Sequence, residues 1–253
     1  MALAEAPPLN SCLRNLHIAL LLSALSFTAL AFTALPTSAN AAPEWARTIG
    51  ADLKEVARPQ TLTILAVGGV LAGASLAVEN PDQQAAFLER GWFGGASDVG
   101  NEYGSGVTLA ALSGVLLGAG HLAHDENLKQ TGSEMFRSLA YSSVAVIALK
   151  VAFHRKRPNG GAYSFPSGHT ATAFAIAPIL ASRLGPKVGI PAFILATATG
   201  MGRMEDRKHY LSDVVFGAAL GLSIGMAVSH HAGLPARVEL GASPSGAGLT
   251  YHF

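Results

Sequence analysis

Charge is what this sequence lacks most. Of its 253 residues only 13% are Asp, Glu, Lys or Arg, well under the quarter or so of an ordinary soluble domain, while 50% are hydrophobic. The formal net charge of +1 leaves no basic excess to displace counterions from a polyanion, which excludes a nucleic-acid partner. Cysteine is nearly missing too. The single Cys12 precedes the first apolar run, so if that run is a leader Cys12 leaves with it. It is then neither a lipid anchor at the mature start nor half of a disulfide, and packing alone must stabilise the chain. Internal repeats and low-complexity tracts are absent as well.

What is present is a series of apolar runs rich in Gly, Ala and Ser, the composition of helices packed in a membrane. The first, Ile18 to Leu35, follows Arg14 and is succeeded by Ala39-Asn40-Ala41, which reads as a secretory signal over 1–41, with an uncleaved anchor helix as the alternative. Residues 42–60 carry mixed charge and read as a linker or amphipathic helix. Six further runs follow, at roughly 61–78, 105–123, 136–153, 169–184, 188–202 and 211–229. The expected fold is therefore all-α, a six-helix bundle over 61–231 embedded in a membrane. Some runs fall short of the ~20 residues needed to cross hydrocarbon untilted. In the tail, 232–253, alternating residues flank Ser243-Pro244-Ser245-Gly246 and predict a short hairpin; two strands cannot close a barrel in a bilayer.

Three polar clusters interrupt this apolar background. Lys150 stands seven residues before Arg157, two helical turns if the helix persists, and Pro158 then stops it. Pro166-Ser167-Gly168-His169 opens an apolar helix, where free N–H groups form an anion site. Arg203 closes another helix, and His209 precedes Asp213 by four positions at the start of the next. Singly, each has an ordinary reading: a basic helix end, a capped helix, an incidental His/Asp pair. Together they supply three fixed cations, two imidazoles and a carboxylate. Such an inventory suits phosphoryl transfer without a metal, because transition-state charge lies on equatorial oxygens that Arg, Lys and backbone N–H groups hold, while one imidazole attacks and the other protonates the leaving oxygen.

In this spacing the clusters resemble the three-part signature of the type 2 phosphatidic acid phosphatases, shared with bacterial non-specific acid phosphatases and vanadium haloperoxidases. One departure is visible: Gly202 precedes Arg203 where the family usually has Ser. The resemblance implies that His209 attacks phosphorus to form a phosphohistidine, oriented by Asp213. It implies that His169 is the acid and then the base, and that Lys150, Arg157, Arg203, Ser167 and Gly168 hold the oxygens, with no metal and no cofactor. It further implies a membrane lipid phosphatase of the bacterial envelope. Such an enzyme would sit in the inner membrane with a periplasm-facing site and take a phosphorylated lipid as partner; the sequence leaves its oligomeric state open. A soluble periplasmic acid phosphatase and a vanadium haloperoxidase are the alternatives.

Other polar residues carry less. His121, His124 and Asp125 have metal-like spacing but read as a solvated loop, His154, Arg155 and Lys156 as a basic turn that also has the charge to dock an anionic head group, and His230-His231 as a polar helix stop. Side is a difficulty. A cleaved signal followed by six full crossings would put the first cluster on the cytoplasmic side, so the run 61–78 is expected to pack without spanning if the site faces outward.

Overall fold

An apolar run in lipid or in a protein core satisfies its backbone polar groups locally only as a helix, and the six long runs all fold that way. A computed structural model of the chain describes residues 43–90, 96–232, 238–243 and 246–251. The expected leader, 1–41, lies outside the described residues. The chain divides into two units at Gly50. Of the first, residues 43–50 are described and form the opening of α1 (Glu44–Val56).

The second unit, Ala51–Phe253, holds the remaining elements. They are α2 (Pro59–Ser75), prolonged by a 3₁₀ turn to Val78, α3 (Pro81–Arg90), α4 (Ala96–Tyr103), α5 (Gly106–Ala123), α6 (Glu126–Phe153), α7 (Gly168–Leu184), α8 (Pro186–Glu205) and α9 (Leu211–His231). The tail forms an antiparallel hairpin of β1 (Val238–Ser243) and β2 (Gly246–Tyr251), in register from Val238↔Tyr251 to Ser243↔Gly246. Helices α2 and α5 to α9 are the six expected runs. α6 begins well before its apolar stretch because the Asp125 carboxylate caps it, accepting from Asn127 N at 2.9 Å and Leu128 N at 3.1 Å. α3 and α4 were not expected at all.

α7 lies at the centre, packed against α6, α8 and α9, and from Thr170 to Ala181 nearly every residue is buried. Small residues permit this. Gly217, Gly221 and Gly225 follow Asp213 at four-residue intervals along α9; a Cβ at Gly221 would meet Ala171 O at 2.1 Å and one at Gly217 would meet Ser167 O at 2.7 Å. The glycine seam thus lets the backbones of α7 and α9 touch, and it begins at two of the expected site residues. α2 is no peripheral segment either. It packs along α9, with Ser223 Oγ donating to Thr61 O at 3.2 Å.

Among the described residues, four helices are long and apolar enough to cross a membrane: 59–78, α5, α6 and α9. α2, α5 and α6 leave large apolar side chains exposed, among them Val70, Leu71, Val115, Leu122, Val144 and Val151, as a hydrocarbon environment requires, whereas α9 is largely covered by its neighbours. α2, α6 and α8 arrive at one end of the bundle, and α5, α7 and α9 leave from it. The loops meet there, with Asn159 N donating to Arg207 O at 3.0 Å and Thr172 Oγ1 to Gly104 O at 3.0 Å. At the other end Asn127 Nδ2 donates to Arg183 O at 3.2 Å. There too the buried Asp52 carboxylate accepts from Arg137 Nε at 2.9 Å and Tyr141 OH at 2.8 Å and pairs with His231, so His231 is more than a polar stop.

Candidate active site

All three clusters lie at the end where α2, α6 and α8 arrive. Lys150 is in the last turn of α6, its Nζ donating to Tyr163 O at 2.6 Å and Ser164 O at 3.4 Å. The helix does not persist to Arg157. His154 takes a left-handed conformation (φ 46°) and its N–H closes the final turn on Lys150 O, so Arg157 sits in the following loop, N donating to Gly161 O at 2.8 Å. Its Nε is buried without a hydrogen-bond partner, which leaves that donor for a ligand oxygen.

Ser167 is the N-cap of α7 and fully buried. Its N–H donates to Asp213 O at 3.0 Å and its Oγ accepts from Thr170 Oγ1 at 2.9 Å, so its own hydroxyl proton is still available. Gly168 and His169 are the first two residues of the helix, whose N–H groups have no intrahelical acceptor.

Arg203 lies in the last turn of α8, buried, with Nη1 donating to Asn101 Oδ1 at 3.3 Å and Nε unpartnered. His209 is not on α9 as its spacing to Asp213 implied. It lies in the 206–210 loop, its N–H donating to Arg203 O at 3.1 Å, and α9 begins two residues later. The loop nevertheless brings its ring to Asp213, with Nδ1 3.6 Å from Oδ2. That is an ion-pair distance and beyond a hydrogen bond, and Nδ1 has no hydrogen-bond partner. With Nδ1 turned to the carboxylate, Nε2 is the nitrogen left to react.

Electrostatics binds the clusters into one site. Burial pushes His209 down to about 4; the neighbouring Asp213 carboxylate opposes this, and Lys150 and Arg157 reinforce it. His169 falls to about 3, through burial first and then the charges of Arg203, His209, Lys208 and Arg157. Burial also lowers Arg203, with Asp206 working against it and Arg157 with it. Arg157 is thus felt at His169, His209 and Arg203 alike, as expected of cations converging on one anion.

Four residues of the site region were not singled out as site residues in the sequence. Glu79, in the turn after α2, accepts Ser212 N at 2.8 Å and the Ser212 hydroxyl. Arg155 spans Glu79 Oε2 at 2.7 Å, Ser212 Oγ at 2.6 Å and Asp213 Oδ1 at 2.8 Å, so it is neither a solvated turn residue nor a free docking cation. Ser164 donates its hydroxyl to Asp213 Oδ2, and Asn101 of α4 ties Arg203 to Asp206, with Nδ2 3.1 Å from Asp206 Oδ2. These pairs join positions 49 to 133 residues apart, a separation that leaves no local signal. His124 and Asp125 prove to be the C-cap of α5 and the N-cap of α6, and no metal-holding group of three His, Cys, Asp or Glu occurs among the described residues.

Comparison with known proteins finds similarity to membrane and lipid phosphatases. Residues 159–233, which contain the second and third clusters, match the family model described as PAP2 superfamily. The lipid A 1-phosphatase of Porphyromonas gingivalis is 43% identical over 84 residues, 32% of this chain and 19% of that protein. A Schizosaccharomyces pombe protein named "Probable diacylglycerol pyrophosphate phosphatase 1" is 33% identical over 99 residues, 34% of this chain and 36% of that protein. The matches thus span well under half of either curated relative. In fold, the chain is similar to the transmembrane PAP2 type phosphatidylglycerolphosphate phosphatase of Bacillus subtilis, with a TM-score of 0.58 and 23% identity over 70% of this chain and 97% of that one.

Proposed function

With residues 159–233 matching the PAP2 superfamily model, we propose that the chain is a metal-independent phosphatase that cleaves a phosphate ester or diphosphate from a membrane lipid through a phosphohistidine. The observation that carries this reading is the buried His209, its Nδ1 turned to Asp213 within the field of Lys150 and Arg157, beside the α7 N-terminus. His209 Nε2 attacks phosphorus, the bond to the lipid oxygen breaks, and His169 gives that oxygen its proton. Water then attacks the phosphohistidine, His169 takes the water's proton, and the P–N bond breaks to release phosphate. Lys150, Arg157, Arg203, the Ser167 hydroxyl and the Gly168 N–H hold the three equatorial oxygens through both steps.

The lipid substrate follows from where the site lies. Its end of the bundle borders the exposed apolar faces of α2, α5 and α6, so a phosphate at that depth belongs to a molecule anchored in the bilayer. Those faces also argue against a soluble acid phosphatase. Lipid A 1-phosphate, diacylglycerol pyrophosphate and phosphatidylglycerophosphate, the chemistries named for similar proteins, all present the same phosphoryl end. The enzyme belongs to the bacterial inner membrane with its site facing the periplasm. Phosphate release from each lipid in detergent micelles, with excess chelator throughout, tests the reading. Turnover is expected to survive chelation, whereas loss on chelation and recovery with a divalent ion would sink it. Bromide oxidation by peroxide under vanadate, in place of phosphate release, would favour a haloperoxidase instead.

A further inference from the structure

Asp213 is the group that faces the reacting histidine, yet its hydrogen bonds go elsewhere. Oδ1 accepts from Arg155 Nη1 at 2.8 Å, and Oδ2 accepts from Tyr210 N at 2.9 Å and from the Ser164 hydroxyl. His209 Nδ1 stands off at 3.6 Å. The carboxylate is therefore oriented by three donors, of which Arg155 alone is charged.

Arg155 is itself built in. Its Nη1 serves both Ser212 Oγ (2.6 Å) and Asp213, its Nη2 serves Glu79 Oε2 (2.7 Å), and its Cζ lies 4.0 Å over the Tyr210 ring. Glu79 closes the loop by accepting both the N–H and the hydroxyl of Ser212. Both terminal nitrogens and one face of the guanidinium are thus engaged, which leaves no fork for a phosphate. The ring joins the turn after α2, the loop after α6 and the start of α9.

From this geometry we infer that Arg155, braced by Glu79, is a positioning residue for the reaction: it holds the Asp213 carboxylate short of His209 and offsets its charge. The inference rests on the function proposed above and deepens it. Charges felt at His209 from the surrounding elements are Asp213 on α9, Lys150 on α6 and Arg157 in the next loop, and His209 is in turn felt at His169 on α7. Asp213 is the anion among them, so how much of its charge is compensated decides how readily His209 takes a proton. A neutral His209 is the one that attacks.

The test is the pH dependence of kcat and KM for short-chain phosphatidate in detergent micelles, using full-length protein. Arg155→Gln leaves the Asp213 charge uncompensated. It is expected to lower kcat at acidic pH with little change in KM and to move the acid limb of kcat/KM upward by about one unit. Arg155→Lys restores the charge but not the fork, and is expected to return most of the limb towards its original position. Glu79→Gln removes an anion while keeping an acceptor, so its limb moves down or stays. A folding defect would act alike in all three variants, whereas opposite shifts from Arg155→Gln and Glu79→Gln would not follow from instability. Raised KM at unchanged kcat and unchanged limb would make Arg155 a substrate ligand and overturn the inference, as would activity falling only with the folded fraction. Activity that persists in His209→Ala would overturn the underlying reading first, and the inference with it.

Discussion

His209 and His169 sit in one field of fixed cations, and that field decides which proton each holds. On the proposed mechanism His209, pushed down to about 4, must be neutral to attack while His169 must hold a proton to give, so kcat/KM is expected to rise as pH climbs through about 4 and to fall again at higher pH as His169 loses that proton; an acid limb near the ordinary histidine value of ~6.5 would contradict the burial argument. His169, lowered to about 3 by the protein's own groups, needs an incoming phosphoryl dianion to favour its charged form. Replacing it by Ala is expected to lower turnover by about 10²–10⁴-fold, with the smallest loss for substrates whose leaving group needs no proton. A uniform loss across leaving groups would remove His169 from the acid role. At this scale the eight candidate residues, which the fold gathers at one end of the bundle, could be picked out because each cluster interrupts an apolar run. Glu79, Asn101 and the role of Arg155 were not, since their partners lie 133, 102 and 58 positions away and only the fold brings them together.

Among the elements, the long helices could be read from apolar length, and each deviation has a local cause. α6 outran its apolar stretch because Asp125 caps a polar first turn, while α3 and α4 mix charge with apolar residues and offer no run. The glycine seam on α9 is the element on which site geometry depends most. Gly221→Ala drives a methyl group to within 2.1 Å of Ala171 O and is expected to destabilise by about 1–3 kcal/mol or more, pushing apart the helices that carry Ser167 and Asp213. Gly114→Ala on α5, where an added Cβ meets nothing within 4 Å, is expected to be neutral or slightly stabilising. Thermal unfolding in detergent with activity at a permissive temperature measures both; equal effects would show that the seam is not tight.

For the whole molecule, the ends of the bundle fix what the site's orientation requires. Asp52, the α5–α6 turn and His231 share one end, and Glu79, Lys150, Ser167 and His209 the other. If α2 crosses, a leader that exports residue 43 puts the site inside, so an outward site and an exported start exclude each other. The sequence held both only by letting 61–78 pack without spanning, whereas α2 runs the length of α9. In a Cys12→Ser background, Lys156→Cys is expected to react with an impermeant maleimide from the periplasmic side and Lys187→Cys only after permeabilisation. The reverse pattern would place the site in the cytoplasm. The central claim, a nucleophilic histidine in a cation cradle, is tested most directly by trapping the phosphoenzyme from radiolabelled lipid phosphate in the presence of chelator. An acid-labile, base-stable label mapping to His209, absent in His209→Ala, is the predicted result; a label on another residue, or none in an active enzyme, would contradict it.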